Sequence, residues 1–229
     1  MPNQILVVAA HPDDEVLGCG GTIARHADSG DQVQVLIVAE GTTSRQRKRN
    51  RAEVQDELHA LGHAAKKAGK ILGASSIKLL GLPDNRLDSI DRLDLIKEIE
   101  DCINDLKPNC VYVHHAGDVN IDHRRLHEAV ITACRPIPGH PVRRILSYEV
   151  ASSTEWQPPG SAPTFQPTWF VDISNQLERK FEALKTYSNE MRQWPHTRSL
   201  EAVEHLARWR GAQVGVTAAE AFCLLRQMK

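Results

Sequence analysis

Hydrophobic positions along the chain fall into two alternating kinds of run. Short unbroken aliphatic stretches occupy Ile5–Ala10, Val33–Ala39, Ile77–Leu80, Cys110–His114 and Ile145–Val150. Runs of this length without a period predict strands covered on both faces, as in a parallel sheet. Between them the apolar residues recur at helical spacing. Gly18 to Ser29 is closed by Gly30; a charged segment with Val54, Leu58, Leu61 and Ala65 is closed by Gly69; Leu93–Leu106 stops before Pro108; and Arg124–Cys134 follows. Repeated strand–helix units predict an α/β fold: a Rossmann-like, doubly wound, mostly parallel sheet with right-handed crossovers.

Past residue 150 the pattern weakens. Residues 152–168 are rich in Pro, Ser and Gly and predict an ordered loop. A short strand at Trp169–Ile173, helices at Gln176–Tyr187 and Ser199–Arg208, and a last helix over Ala218–Gln227 complete the expectation. A length of 229 residues suits one domain spanning 1–229, with the α/β core at 3–150 and the remainder completing the site.

Composition narrows the partners. The 28 Lys and Arg nearly balance the 29 Asp and Glu, which argues against a nucleic-acid or anionic-membrane surface. No apolar run approaches the ~20 residues of a membrane span. The first residues, "MPNQILVVAA", lack the basic region of a secretion signal. A cytoplasmic protein is expected, and the five scattered cysteines, without C-x-x-C spacing, read as reduced thiols.

Chemistry gathers at two strand tips. In a parallel sheet the ligand site lies at the carboxyl ends of the strands, and the first strand runs straight into "HPDDEVLGCGG". The glycines suggest a phosphate cradle, but neither G-x-G-x-x-G nor G-x-x-x-x-G-K-[ST] is present, and Ile23 stands where the third glycine would. Carboxylates at a helix start would also repel a pyrophosphate. A divalent metal removes that conflict. His11 and Asp14, three apart in a turn, can point at one ion while Asp13 faces a water on it. The plain alternative is a helix N-cap cluster with Asp13 or Asp14 as the cap.

The fourth strand leads into "VHHAGDVNIDHRRLHEAV". A zinc ion with one His and one Asp needs a third ligand from a neighbouring tip. His114, His115, His123 and His127 are available, and His123 begins a helix where the loop ends. His123 and His127, at i and i+4, form an alternative pair, although His127 beside Arg124 and Arg125 reads as a packing residue. His114 is expected to be half buried in its strand.

Together "AAHPDDEVLGCGGTIARH" and "NIDHRRLHEAV" resemble the PIG-L/LmbE family of metal-dependent N-deacetylases, which act on N-acetylated amino sugars and related glycosyl amides. The A-H-P-D-D-E motif is complete at Ala10–Glu15. The resemblance implies zinc bound by His11, Asp14 and His123; Fe2+ is the other divalent candidate for the same residues. It implies Asp13 as general base, a small acetamido sugar as substrate, and a homo-oligomer, trimer or hexamer. The chain departs from the family at Asn120, where many members carry a His at the developing oxyanion. Asn120 could donate an amide N–H there, or His115 or His196 could take that place.

Substrate groups are expected at the same edge: Arg45 beyond the second strand, Asp84 and Arg86 beyond the third, with Asp84 at a position resembling the family's hydroxyl-binding acid. Competing with an N-deacetylase are a two-His, one-carboxylate iron(II) enzyme and a metal-stabilised sugar-binding domain without catalysis. The second leaves Asp13 without a role.

Overall fold

The computed structural model describes residues 2–229. Its strands are β1 (Gln4–Ala9), β2 (Gln32–Ala39), β3 (Ser76–Leu82), β4 (Cys110–His114), β5 (Arg144–Tyr148), β6 (Trp169–Asp172) and β7 (Ala219–Gln227). They form one sheet in the order β3-β2-β1-β4-β5-β7-β6. The pairs from β3 through to β5 are parallel, as the strand–helix alternation predicts. β7 runs antiparallel to both β5 and β6.

The helices are α1 (Asp14–Asp28), α2 (Gln55–Leu72), α3 (Arg92–Leu106), α4 (Ile121–Ala133), α5 (Leu177–Lys185) and α6 (Leu200–Ala212). Successive strand residues point to opposite faces, so each unbroken aliphatic run feeds two cores. Ile5, Val7 and Ala9 of β1 pack with residues of α1, α2, α5 and α6. Leu6, Val8 and Ala10 pack with α3 and α4 on the other face. That double coverage is why these runs carry no polar–apolar period.

One expected element is wrong. Ala218–Gln227, predicted as a helix, is the strand β7. Its Ala, Glu, Leu, Arg and Gln are good helix formers, but propensity is a weak prior. Here the segment fills the gap between β5 and β6 and pairs its backbone on both sides, which an isolated helix could not do for two otherwise open edges.

Two features hold α1 tight against the sheet. A Cβ at Gly18 would collide with the Tyr148 ring, and one at Gly21 would lie 2.7 Å from Ile173, so the glycines after the acidic cluster serve close packing. Glu220 of β7 accepts the N–H groups of Gly21 and Thr22 at 2.9 and 2.7 Å. Lys180 of α5 donates to Glu220 at 2.6 Å and to the Leu17 carbonyl at 2.8 Å. The C-terminal third thereby clamps the helix that follows the first strand tip. Strand order reverses between β1 and β4, which opens the crevice where α/β sheets bind ligands. Among the described residues no helix is long and apolar enough to cross a membrane.

Candidate active site

The reversal brings the two predicted tips together. His11 and Asp14 arrive from the end of β1 and the start of α1, and His123 from the first turn of α4. Asp14 Oδ2 lies 3.2 Å from His11 Nδ1 and 3.2 Å from His123 Nε2. Ligands of a tetrahedral zinc at about 2.0–2.1 Å stand roughly 3.3 Å apart, so this spacing fits one ion. Asp14 Oδ1 and His123 Nε2 are buried without a hydrogen-bond partner, a costly state for polar atoms unless a ligand takes them up. The donor set therefore fits a divalent metal.

Both imidazoles are fixed from behind by carboxylates. His11 Nε2 is 3.1 Å from Asp122 and 3.2 Å from Asp84, which turns Nδ1 towards Asp14. His123 Nδ1 is 3.2 Å from Asp118, which turns Nε2 the same way. Carboxylate–histidine pairs of this kind set the tautomer of metal ligands. Asp118 is held in turn by the Ser153 and Thr154 hydroxyls. His11, Asp84 and Asp122 form a second cluster, but its oxygens are already engaged. Asp122 accepts the N–H groups of Asn85 and Leu87, and Asp84 accepts that of Ser44. It supports His11 rather than forming a second ion site.

Electrostatics agree with a cation. Burial alone would lower both imidazole pKa values, but Asp14 and Asp118 push His123 up to about 9. Asp122, Asp14 and Asp84 raise His11 well above its ordinary value. Despite its burial, Asp14 is held well below the usual carboxylate range by His123 and His11. Asp84 is brought down to about 2, against its burial, chiefly by His11 and Ser44. The cluster concentrates negative charge that either protons or a metal must balance.

Asp13 occupies the N-cap position of α1, yet its side chain makes no capping bond. Its carboxylate instead accepts from Arg198 at 3.0 Å. Burial pushes Asp13 up to about 7, with Arg198 opposing and Asp14 and Glu190 adding to the rise. Arg198 lies 3.9 Å from Glu190, which takes both hydrogen bonds of Arg45. Glu15 accepts the Asp13 N–H at 3.0 Å and the Tyr187 hydroxyl. Burial pushes Glu15 up to about 8.

Other sequence-predicted residues fall as follows. Asn120 is the N-cap of α4, its Oδ1 accepting the Asp122 N–H at 2.9 Å. Asp84 reaches the centre through His11, and Arg86 follows at the same strand tip, half-buried. Arg45 connects to Asp13 only through Glu190 and Arg198. His115 is buried and bonded to the Pro163 carbonyl at 2.9 Å, so it pins the 152–168 loop. His196 accepts the Arg198 N–H at 3.0 Å. His114 is fully buried rather than half-buried: it accepts the Ala10 N–H at 2.8 Å and stacks on His123 at 3.8 Å. That bond occupies Nε2, and neither cluster of potential metal ligands among the described residues includes His114. His127 bonds the His114 carbonyl at 2.8 Å, a packing role.

Sequence reasoning missed Asp118, Glu190 and Tyr187. Asp118 carried a usable signal, being an acid in the loop after β4, five residues before His123. Glu190 and Tyr187 carried none, because they reach Asp13 from far along the chain, Tyr187 standing 172 positions from Glu15.

Known proteins resemble the chain in sequence and in fold. Residues 6–134 match the family described as GlcNAc-PI de-N-acetylase, PIG-L. The chain is 30% identical over 191 residues to the uncharacterized deacetylase YaiS of Escherichia coli K12, covering 81% of this chain and 90% of the relative. It is 28% identical over 202 residues to the diacetylchitobiose deacetylase of Thermococcus kodakarensis, covering 82% and 70%. Its structure is similar to that of the conserved protein TT1542 from Thermus thermophilus, with a TM-score of 0.74, 26% identity, and coverage of 99% and 96%.

Proposed function

The chain belongs to the PIG-L family of GlcNAc-PI de-N-acetylase-like proteins, and from that premise we propose that it is a zinc-dependent N-deacetylase that hydrolyses the acetamide of an amino sugar, free or conjugated, to acetate and the amine. The observation that carries the proposal is the His11, Asp14 and His123 donor set, with Asp14 3.2 Å from a ring nitrogen of each imidazole, and a further carboxylate, Asp13, left over beside it. Diacetylchitobiose, named for one relative, contains such an acetamide.

His11, Asp14 and His123 would hold the ion. When bound there, zinc supplies a Lewis acid for the amide carbonyl and lowers the pKa of water towards ~7. Asp13 takes the proton of the attacking water on its carboxylate, and Arg198 at 3.0 Å favours the ionised form this requires. Protonated Asp13 then returns the proton to the leaving nitrogen. Asn120 has its amide oxygen committed to the Asp122 N–H, which leaves Nδ2 to donate to the developing oxyanion. Arg45, Arg86 and His196 are assigned to the substrate rim, backed by Asp84 on His11 Nε2 at 3.2 Å and by His115, which holds the 152–168 loop. A cytoplasmic location and a trimeric or hexameric assembly belong to the same proposal; fractionation and light scattering test them.

Acetate release is to be measured on free, phosphorylated, nucleotide-linked and glycosidically linked N-acetylglucosamine. One class is expected to turn over, and Asp13→Asn is expected to lose about 10²–10⁴-fold in kcat while binding metal at the same stoichiometry. No acetate from any class, or full turnover by Asp13→Asn, overturns the assignment. Metal analysis after aerobic and anaerobic purification separates zinc from iron.

A further inference from the structure

Asp13 has φ 114° and ψ −30°, at positive φ and far from the centre of the left-handed region, near φ 57° and ψ 47°, that non-glycine residues occasionally use. The chain's other positive-φ residues with side chains lie between 52° and 68°. Such a backbone persists only when its surroundings over-determine it. On its carboxyl side the Asp13 carbonyl accepts the N–H groups of Val16 and Leu17, at 3.0 and 2.9 Å, and is fixed as the first rung of α1. On its amino side the Asp13 N–H is held by Glu15, and Glu15 by the hydroxyl of Tyr187. Glu15 and Tyr187 are each 1% exposed, so neither bond has water as a substitute.

We propose that Glu15 and Tyr187 are positioning residues for the general base: they lock the strained Asp13 peptide and so aim its carboxylate at the substrate side of the metal ligands. The inference rests on the reading of Asp13 as the base. Tyr187 follows α5, and the turn it opens also carries Glu190, whose backbone N–H bonds the Tyr187 carbonyl at 2.8 Å. That one turn reaches Asp13 twice, at the peptide through Tyr187 and Glu15, and at the carboxylate side through Glu190 and Arg198. The segment lies beyond residues 6–134, the part of the chain that matches the family. The C-terminal third thus sets the geometry of a residue that the N-terminal motif supplies.

The test compares the zinc-loaded wild-type protein with Tyr187→Phe, Glu15→Gln and Glu15→Ala. Loss of one buried hydrogen bond is expected to lower kcat about tenfold in Tyr187→Phe, with KM and the zinc Kd of the apoprotein unchanged within about twofold. Glu15→Gln keeps an oxygen that can accept the Asp13 N–H, so it is expected to retain more kcat than Glu15→Ala, a rescue that lost packing alone would not produce. A crystal structure of Glu15→Ala is expected to show Asp13 relaxed to negative φ with its Arg198 contact broken. Wild-type kcat in Tyr187→Phe, a zinc Kd weakened in step with kcat, or an unchanged positive φ in Glu15→Ala would each overturn the proposal. If the wild-type protein released no acetate, the functional assignment would fall, and the φ measurement would still decide whether this pair holds Asp13.

Discussion

Asp118→Asn perturbs the proposed metal centre without replacing a ligand. Asp118 Oδ1 accepts the Asn120 N–H at 2.8 Å and the Ser153 hydroxyl; Oδ2 accepts the Thr154 hydroxyl at 2.7 Å and lies 3.2 Å from His123 Nδ1. A backbone N–H can only donate, so the substituted amide must keep its oxygen facing Asn120. Its NH2 group then faces His123 Nδ1 and donates to it. That reverses the tautomer: the ring proton moves to Nε2, the atom directed at Asp14, and Nε2 loses the lone pair a metal needs. Restoring the ligand means breaking the new contact or rotating the amide away from Asn120 and Ser153. Loss of such an orienting partner costs about 10–100-fold in metal affinity, roughly 1.4–2.8 kcal/mol. Calorimetric or chelator-competition titration of the apoprotein with zinc reads this directly, with a thermal melt to confirm folding. Wild-type affinity within about twofold for Asp118→Asn would refute both the tautomer reasoning and Nε2 as the ligand atom.

Three further outcomes are expected. Lys180→Met strands the buried Glu220 carboxylate, whose ion pair is nearly solvent-free at 4% exposure for each side chain; breaking such a pair costs about 3–5 kcal/mol, a fall in Tm of roughly 6–20 °C for a chain of this size. Adding Glu220→Gln should recover part of it, and a melt unchanged by Lys180→Met would contradict the clamp on α1. Arg198→Gln removes a cation that holds Asp13 down against its burial; Asp13 rises, and because the ionised form is the base, the acid limb of kcat/KM moves to higher pH, by about one unit or more. An unmoved limb would separate Arg198 from the base. With His123 near 9 and His11 also raised, zinc should displace protons from these rings when it binds near neutral pH. Affinity should then strengthen as pH rises towards 9, and titrations in buffers of different ionisation enthalpy count the protons; a count near zero would show that the rings are already neutral in the apoprotein and refute their raised pKa values.

Much of the fold was legible because its signals are local. Aliphatic runs such as Ile5–Ala10 can be buried on both faces only inside a covered sheet, and the helical spacings between them imply parallel pairing. The candidate donors were legible in part for the same reason: His11, Asp14 and the histidines around β4 sit at strand tips or helix starts, and tips in a parallel sheet lie on one edge, while the choice of His123 among them came from the resemblance to the PIG-L/LmbE motifs. Ala218–Gln227 misled because its residues favour a helix in isolation, whereas the open edges of β5 and β6 lie far away in the chain.

What the sequence by itself determined is therefore the set of groups on offer: imidazoles and carboxylates at two strand tips, placed by short-range pattern, to which the proposal gives the roles of metal ligand and base. Only the tertiary structure decided how that chemistry is held. Asp118 lies against His123 Nδ1, Arg198 opposes the rise that burial imposes on Asp13, and Tyr187 through Glu15 reaches the Asp13 backbone. These contacts join residues up to 185 positions apart. Their strength comes from burial, where an unpaired polar group is expensive and a paired one is held in place. Burial of a single side chain is a property of the whole packed molecule, and no local pattern of residues encodes it.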